Sequence, residues 1–332
     1  MAAAGAAGTT RASPAIPGSP ERVTSTFPAA RAAGALTALG AAALAYAAVV
    51  EVRWFTLRRV TVPILRPGEP DLRILHISDL HLTPDQGRKV EWVRSLAALQ
   101  PHLVVDTGDN MASTEALPPL LHALEPLMEL PGAFVMGSND YYGPVPKNPA
   151  RYLTRHTRTR YLREHVLLPA DELGSALRAA GWRDLTNRRD TLEVNGTRIS
   201  LVGVDDPHLN RDRFPELTRS HRSAVDLKLG VTHAPYRRVL DAMYADGSDL
   251  VLAGHTHGGQ LCLPGWGALV TNCDLDTARA KGLHGWPGPR PDSAYGEDST
   301  WLHVSAGLGT SPYAPVRFAC RPEATLLTLV AR

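Results

Sequence analysis

Short apolar runs alternate along most of the chain with stretches in which apolar residues recur every three or four positions. The short runs are typical of buried strands and lie at residues 60–65, 73–78, 103–105, 133–136, 190–195, 197–202, 226–231, 250–253, 301–304 and 324–330. The helical periodicity predicts helices at residues 86–99, 113–129, 172–180 and 236–246. Residues 262–298 are rich in Pro and Gly and predict a loop. This order of elements indicates an α/β domain that begins near residue 56.

The residues before that domain have a different composition. Residues 1–30 are rich in small residues and Pro without an apolar period, which predicts a disordered tail. Residues 32–50 carry no charge, and their length is close to the ~20 residues that cross a bilayer as a helix. We expect residues 31–52 to anchor the chain in the cell membrane, with a cleaved export signal or a soluble Ala-rich helix as alternatives. Arginines flank this apolar segment on both sides, so they do not determine its orientation in the membrane. We favour an extracytoplasmic position for residues 56–332.

Charge and cysteine content narrow the function classes. The formal net charge is only +2, so a nucleic-acid partner is not expected. Residues 147–163 are strongly basic and could form a lid that attracts phosphate or an anionic headgroup, or a solvated basic helix. The three cysteines have no zinc-finger spacing. Cys262 and Cys273 could pair in an oxidising compartment, but ordinary thiols are expected.

Polar side chains capable of binding metals follow the ends of five apolar strands. These side chains are Asp79, His81, Asp109, Asn139, His233, His255 and His257. In open α/β sheets, ligands gather at the edge where strands end, so we expect these groups to converge. Mixed Asp, His and Asn ligation suits Mn, Fe, Zn or Co. The set suffices for two divalent ions that share a carboxylate at ~3.5–4 Å separation.

The motifs around these residues resemble the calcineurin-like metallophosphoesterase superfamily. They read Asp79-Leu-His81, Gly108-Asp109, Gly137-Ser-Asn139-Asp140, Thr232-His233 and Gly254-His255-Thr-His257. Two further stretches, Gly203-Val-Asp-Asp-Pro207 and Gly307-Leu-Gly-Thr310, look like its membrane-associated bacterial branch. The resemblance covers residues 56–330 and implies a four-layer α-β-β-α sandwich, in which two packed mixed sheets are flanked by helices. It also implies that Asp79, His81 and His257 hold one metal, that Asn139, His233 and His255 hold the other, and that Asp109 bridges them.

The chain departs from the family pattern at one motif. The family usually has Gly-Asn-His followed by Asp or Glu where this chain has Gly137-Ser138-Asn139-Asp140. Aligned without a gap, Ser138 replaces the ligand asparagine and Asn139 replaces the histidine that assists the leaving group. A shift by one residue keeps Asn139 as the ligand, and we favour it because an amide oxygen binds a divalent cation better than a hydroxyl does. The histidine is lost either way. The candidates to replace it are His156, His165 and His208, although for each of them a surface position is the favoured interpretation.

The expected activity is hydrolysis of a phosphodiester or pyrophosphate bond by water that two cations activate. Asp109, Asn139 and His255 are the expected catalytic residues, and Gly258, Gly259 and His208 are expected to contact the substrate phosphate. A membrane-surface glycolipid such as UDP-diacylglucosamine is one substrate class. The alternatives are a soluble nucleotide or phosphodiester, and a membrane-tethered metal-binding scaffold with little turnover.

Four other polar residues have structural interpretations. His76 is expected in the core and Asp106 is expected to orient the loop after its strand. Asp205 and Asp206 could support ligand histidines or cap a turn. For Arg317 we expect a surface position in preference to a phosphate contact.

Overall fold

A computed structural model of the chain describes residues 27–146, 166–216 and 225–332, together with Gly5 and Gly8. The predicted basic lid, His156, His165 and nearly all of the predicted tail lie outside these residues. The contacts divide the chain into two compact units, Met1–Ala43 and Leu44–Arg332. One helix, α1 (Phe27–Ala45), continues through a π turn (Tyr46–Val50) and a 3-10 turn (Glu51–Arg53). The segment Arg31–Arg53 is long and apolar enough to cross a membrane.

The remaining elements all belong to the second unit. Its helices are α2 (Gly87–Ser95), α3 (Leu117–Met128), α4 (Ser138–Tyr141), α5 (Ala170–Ala179) and α6 (Arg237–Ala245). Its strands are β1 (Thr56–Leu65), β2 (Leu72–Ile77), β3 (Leu103–Asp106), β4 (Gly132–Phe134), β5 (Arg183–Asp184), β6 (Arg188–Val194), β7 (Thr197–Gly203), β8 (Leu227–Thr232), β9 (Leu250–Ala253), β10 (Cys262–Leu263), β11 (Gly267–Ala268), β12 (Gly282–Trp286), β13 (Thr300–Val304) and β14 (Glu323–Ala331). The predicted helices and all predicted strands are present, with bounds that differ by a few residues.

Two six-stranded mixed sheets form the centre of this unit. The first has the order β1-β14-β2-β3-β4-β5, in which β2 to β5 are parallel and β14 is antiparallel to β2. The second has the order β12-β13-β9-β8-β7-β6, in which β7, β8, β9 and β13 are parallel. Parallel strands of one sheet present their carboxyl ends at one edge, so the loops after β2, β3 and β4 lie together, as do those after β8 and β9.

The apolar side chains divide into layers because alternate residues of a strand face opposite ways. Ile74 of β2 packs between the sheets with Leu229 and Leu252 of the second sheet. Its neighbour Leu75 packs on the outer side, in the cluster that holds the apolar faces of α2, α3 and α5. The outer side of the second sheet is covered by a third cluster that includes Leu240 of α6. The predicted four-layer sandwich is therefore confirmed.

The prediction of an unbroken loop over residues 262–298 was wrong. It contains the short β10–β11 pair and the strand β12, which pairs antiparallel with β13 at the edge of the second sheet. Two glycines and a histidine interrupt the apolar pattern of β12, so its pairing with β13 fixes it as a strand. All three cysteines are free thiols, as predicted. Cys262 packs with Cys320 in one buried cluster, so the possible pair with Cys273 is not the one that the fold brings together.

Candidate metal centre

The predicted ligands stand on loops whose backbone adopts an uncommon conformation. Asp79, His81, Asp109, His255 and His257 all have positive φ, between 41° and 69°. For residues other than glycine this region costs on the order of 1 kcal/mol, and such residues cluster where function requires a particular side-chain direction. Here the conformation follows immediately after β2, β3 and β9, so it turns the side chains toward one place at the strand ends.

Two buried carboxylates lie at the centre of this place. Asp79 accepts the backbone N–H of His255 at 3.0 Å and the Ser78 hydroxyl at 2.5 Å. His257 Nε2 lies 3.5 Å from Asp79 Oδ1. Asp109 lies between two histidines, with His81 Nε2 3.5 Å from Oδ2 and His233 Nε2 3.5 Å from Oδ1. Among the residues that the structure describes, two groups of three side chains have potential ligand atoms within 4.8 Å of one another: Asp79, His81 and His257, and Asp79, Asp109 and His233.

The histidines present nitrogen lone pairs toward each other. His233 Nδ1 lies 2.8 Å from the Thr107 carbonyl and His257 Nδ1 lies 3.0 Å from the Gly309 carbonyl. A carbonyl only accepts, so each Nδ1 donates and the Nε2 of the neutral ring carries a lone pair. His255 is reversed, because its Nε2 lies 3.3 Å from the Asn272 carbonyl. Its Nδ1 then faces His233 Nε2 at 3.2 Å, and His257 Nε2 lies 3.1 Å from His81 Nε2.

Burial sets the charge state of these rings. It lowers the pKa of His257 to about 3 and the pKa of His255 well below its usual value, so both rings are neutral at pH 7. Burial also opposes the charged form of His233, but the carboxylates of Asp109 and Asp206 raise its pKa to about 9. At pH 7 His233 therefore carries a proton, which a bound cation would displace. Imidazole nitrogens and buried carboxylates are a donor set that divalent cations of the Mn, Fe, Co and Zn type bind. The residues therefore fit the metals that the sequence predicts.

The motif at 137–140 is held by its last residue. Asp140 is buried, and its carboxylate accepts the backbone N–H groups of Gly137, Asp109 and Asn110, each at 2.8 Å. In this arrangement Asn139 donates its backbone N–H to Asp109 Oδ1 at 2.6 Å, and the Ser138 hydroxyl lies 3.5 Å from the same oxygen. The Ser138 hydroxyl and the Asn139 backbone thus both lie beside the Asp109 carboxylate, and the role of Asn139 as a metal ligand stays a prediction.

Of the three residues expected to contact the substrate phosphate, the two glycines have their N–H groups engaged elsewhere and His208 lies beside the site. Gly258 donates its N–H to Thr256 Oγ1 at 3.2 Å, and Gly259 donates to the Thr256 carbonyl at 2.8 Å. The expectation that these N–H groups point at phosphate was wrong, because the turn itself uses them. Both positions require glycine because their φ is positive and the space is filled. A Cβ at Gly258 would lie 2.7 Å from Cys320 Sγ, and one at Gly259 would lie 2.4 Å from the Ala268 Cβ. His208 does lie beside the site, half-buried, with its ring centroid 4.6 Å from that of His255.

Three of the other expectations have clear outcomes. His76 is fully buried and bonds His303 Nδ1 and Thr107 Oγ1, as its core interpretation required. Asp106 accepts the Gly108 N–H and so orients its loop. Asp206 caps the turn that follows it by accepting the His208 N–H.

The expectation of a surface position for Arg317 was wrong. Its side chain is fully buried directly behind the centre. The guanidinium donates to the carbonyls of Ala306, Gly307 and Gly309 at 2.7–3.1 Å. A single arginine in a polar stretch gives no sequence signal for burial, because the carbonyls that satisfy it come from a loop brought near by the fold.

Comparisons with known proteins agree with this geometry. The model of the family described as calcineurin-like phosphoesterase matches residues 72–259. Relatives include YpbG of Bacillus subtilis (28% identical, covering 90% of this chain and 96% of that protein) and the phosphodiesterase YaeI of Escherichia coli (25%, 90% and 97%). The UDP-2,3-diacylglucosamine pyrophosphatase LpxG of Chlamydia trachomatis is 27% identical and covers 77% of this chain and 83% of that protein. Among solved structures, TT1561 of Thermus thermophilus is 15% identical with a TM-score of 0.38, covering 72% of this chain and 91% of that one. With the family model matching more than half of its length, the chain belongs to the calcineurin-like phosphoesterase family and is a phosphoester hydrolase.

Proposed function

We propose that this hydrolase cleaves a phosphodiester or pyrophosphate bond of a lipid-linked substrate at a membrane surface, with two divalent cations held at the metal centre. The observation that carries the proposal is the convergence of buried Asp79 and Asp109 with the imidazoles of His81, His233 and His257 at the strand ends. The apolar segment Arg31–Arg53 supplies a membrane anchor, and we place the catalytic domain on the extracytoplasmic side. The likeness to LpxG, whose name gives a glycolipid pyrophosphatase, supports the substrate class.

The ligand assignment follows the contacts. Asp79, His81 and His257 would hold one cation, and His233 and His255 the other. Asp109, between His81 and His233, would bridge them. Ser138 or Asn139 would complete the second site. Bound divalent cations lower the pKa of water toward neutrality and neutralise charge that develops on phosphoryl oxygens.

The surrounding residues of the chain position these groups. The Thr107 and Gly309 carbonyls fix the tautomers of His233 and His257, so that their lone pairs face the site. His208 is proposed to contact the substrate phosphate, because its half-buried ring packs on His255 and is held by the Tyr236 hydroxyl at 3.1 Å. Since the leaving-group histidine of the family is absent, a substrate whose leaving group needs little protonation is favoured, such as a pyrophosphate or an aryl ester.

Replacing the bridging carboxylate tests the proposal. Asp109→Asn keeps the size of the side chain but removes its charge, and we expect it to abolish both metal content and hydrolysis. Metal content would be measured by elemental analysis of the purified full chain, and hydrolysis on aryl phosphomonoesters, aryl phosphodiesters and pyrophosphates after metal replacement. Asp276→Asn is the control, because Asp276 is exposed and pairs only locally with Arg279. Full turnover by Asp109→Asn would refute the bridging role.

A tethered metal-binding scaffold with little turnover is the second candidate. The observation that favours it is the Ser138-Asn139 pair, where the family usually has a ligand asparagine and a histidine. The same panel decides between the two. Metals bound at full occupancy without hydrolysis of any ester would favour the scaffold, whereas hydrolysis that follows metal content would favour the enzyme.

A further inference from the structure

An exposed apolar hairpin follows the loop that carries His255 and His257. It comprises residues 261–270, in which β10 and β11 are joined through Pro264 and Gly265. Its large apolar side chains face solvent, and they are Leu261, Leu263, Trp266, Leu269 and Val270. Trp266 at the tip is 81% exposed. Single exposed apolar residues are ordinary, but a contiguous group of this kind marks a binding surface.

The hairpin lies beside the end of the apolar N-terminal helix. Leu261 forms a parallel bridge with Phe318, and the Phe318 ring meets the Tyr46 ring edge-on with centroids 6.5 Å apart. The residue before Phe318, Arg317, donates its backbone N–H to the Ala47 carbonyl. Since Arg31–Arg53 is the segment that can cross a membrane, its last turns and the hairpin would meet the bilayer surface together.

The surface between them carries positive charge. A cavity of about 250 Å³ is lined by Tyr46, Glu51, Arg58, Lys281, Ala319 and Arg321. The single carboxylate in this lining, that of Glu51, accepts the backbone N–H groups of Ala319 and Cys320. Arg321 stacks over the half-exposed ring of Trp54 at 3.5 Å. Basic groups together with Trp and Tyr are typical of protein surfaces at the headgroup level of a membrane.

We propose that the hairpin of residues 261–270 inserts into the headgroup and acyl boundary of the bilayer that holds the N-terminal helix. Lys281 and Arg321 then face anionic headgroups, beside Arg58, which pairs with Glu323 at 3.0 Å. This inference rests on the membrane anchor in the proposed function, and it adds a second contact that fixes the orientation of the domain. His257 is only four residues before Leu261, so the metal centre would open close to the lipid surface. A lipid-linked phosphoester could then reach it without leaving the bilayer.

Quenching of tryptophan fluorescence by brominated lipids tests the insertion. The full chain is reconstituted into vesicles of phosphatidylcholine and phosphatidylglycerol, with and without bromine on the acyl chains near the headgroup. We expect brominated vesicles to quench the wild type and Trp266→Phe to lose the larger share of that quenching. The remainder is expected from Trp54 at the end of the helix. Flotation on a density gradient establishes that the chain is bound to vesicles.

The control places an exposed tryptophan elsewhere. Tyr295 is 90% exposed in the loop after β12, at the end of that strand away from Lys281. In the Trp266→Phe background, Tyr295→Trp should add fluorescence that acrylamide quenches and brominated lipid does not. Equal lipid quenching in wild type and Trp266→Phe, or a chain that stays in the aqueous fraction, would overturn the proposal. A Trp266 shielded from both quenchers would overturn it in favour of a protein partner.

Hydrolysis of a soluble aryl phosphodiester is measured in the same vesicles. Its absence would count against the proposed activity, while the quenching result would still decide whether the hairpin enters the bilayer.

Discussion

Replacing Arg317 with methionine tests whether a buried guanidinium holds the metal centre in place. The side chain donates to the Ala306, Gly307 and Gly309 carbonyls, and the same Gly309 carbonyl accepts from His257 Nδ1. Methionine fills most of the volume but supplies no donor. The loop at 306–309 should therefore loosen, and the His257 ring with it.

The size of the effect follows from the partners that each carbonyl keeps. Gly307 O still accepts the Glu323 N–H, and Gly309 O still accepts from His257, so each loses one of two donors. Among the described contacts, Ala306 O has only Arg317, and an unsatisfied buried acceptor costs about 1–3 kcal/mol. Removing a buried charge returns part of its desolvation penalty. The sum is a loss of about 3 kcal/mol in the free energy of unfolding.

Denaturant unfolding and metal titration of the full chain in detergent measure the two consequences. Arg213→Met is the matched control, because Arg213 is exposed yet also donates to backbone carbonyls, those of Asn210 and Asp212. It should change stability by less than about 0.5 kcal/mol. An Arg317→Met chain as stable as this control, with unchanged metal affinity, would refute the reasoning.

Two further predictions concern Lys89 and Ser138. Burial lowers the pKa of Lys89 to about 7, so between about pH 7 and 10.5 the unfolded chain binds a proton that the folded chain does not. Stability should rise with pH in this window, by at most about 1.4 kcal/mol per unit, and Lys89→Met should lack the slope. The free energy of unfolding would be measured with denaturant at pH 7 and pH 9. If it changes equally between these pH values in the wild type and in Lys89→Met, the prediction is contradicted. Ser138→Asn should raise metal affinity several-fold if Ser138 faces the cation, as measured by competition with a chelating dye. If Asn139→Ala instead lowers the affinity and Ser138→Asn has no effect, Asn139 is the ligand.

The convergence at the strand ends was predictable from sequence for a physical reason. Apolar runs identify buried strands, and parallel strands of one sheet deliver their ends to one edge. The polar residues after Ile77 and Asp106 of the first sheet therefore had to lie near one another, as did those after Thr232 and Ala253 of the second. The positive φ of these residues was not predictable from composition, since Asp and His are only moderately frequent in that region. The positive φ of these residues arises from the turn that the backbone makes after each strand.

The failures share a different cause. Arg317, Gly258 and Gly259 are all satisfied by backbone groups that are distant in sequence or belong to the turn's own geometry. A sequence pattern reports which residues prefer water, but it does not report which carbonyls the fold will bring to a guanidinium or which N–H groups a turn will consume. The edge strand β12 was missed for the same reason, because pairing with β13 defines it.

The choice between Ser138 and Asn139 as the metal ligand depends on two physical effects. The first is ligand chemistry, in which an amide oxygen is preferred to a hydroxyl. The structure adds Asp140, whose carboxylate accepts three buried N–H groups at 2.8 Å. A shift of the motif by one residue would move that carboxylate and break these charge-assisted bonds, at a cost of about 5 kcal/mol. The backbone network around Asp140 therefore holds residues 137–140 in place, with the Ser138 hydroxyl 3.5 Å from Asp109 Oδ1. Metal titration of Ser138→Asn and Asn139→Ala then decides which of the two side chains binds the cation.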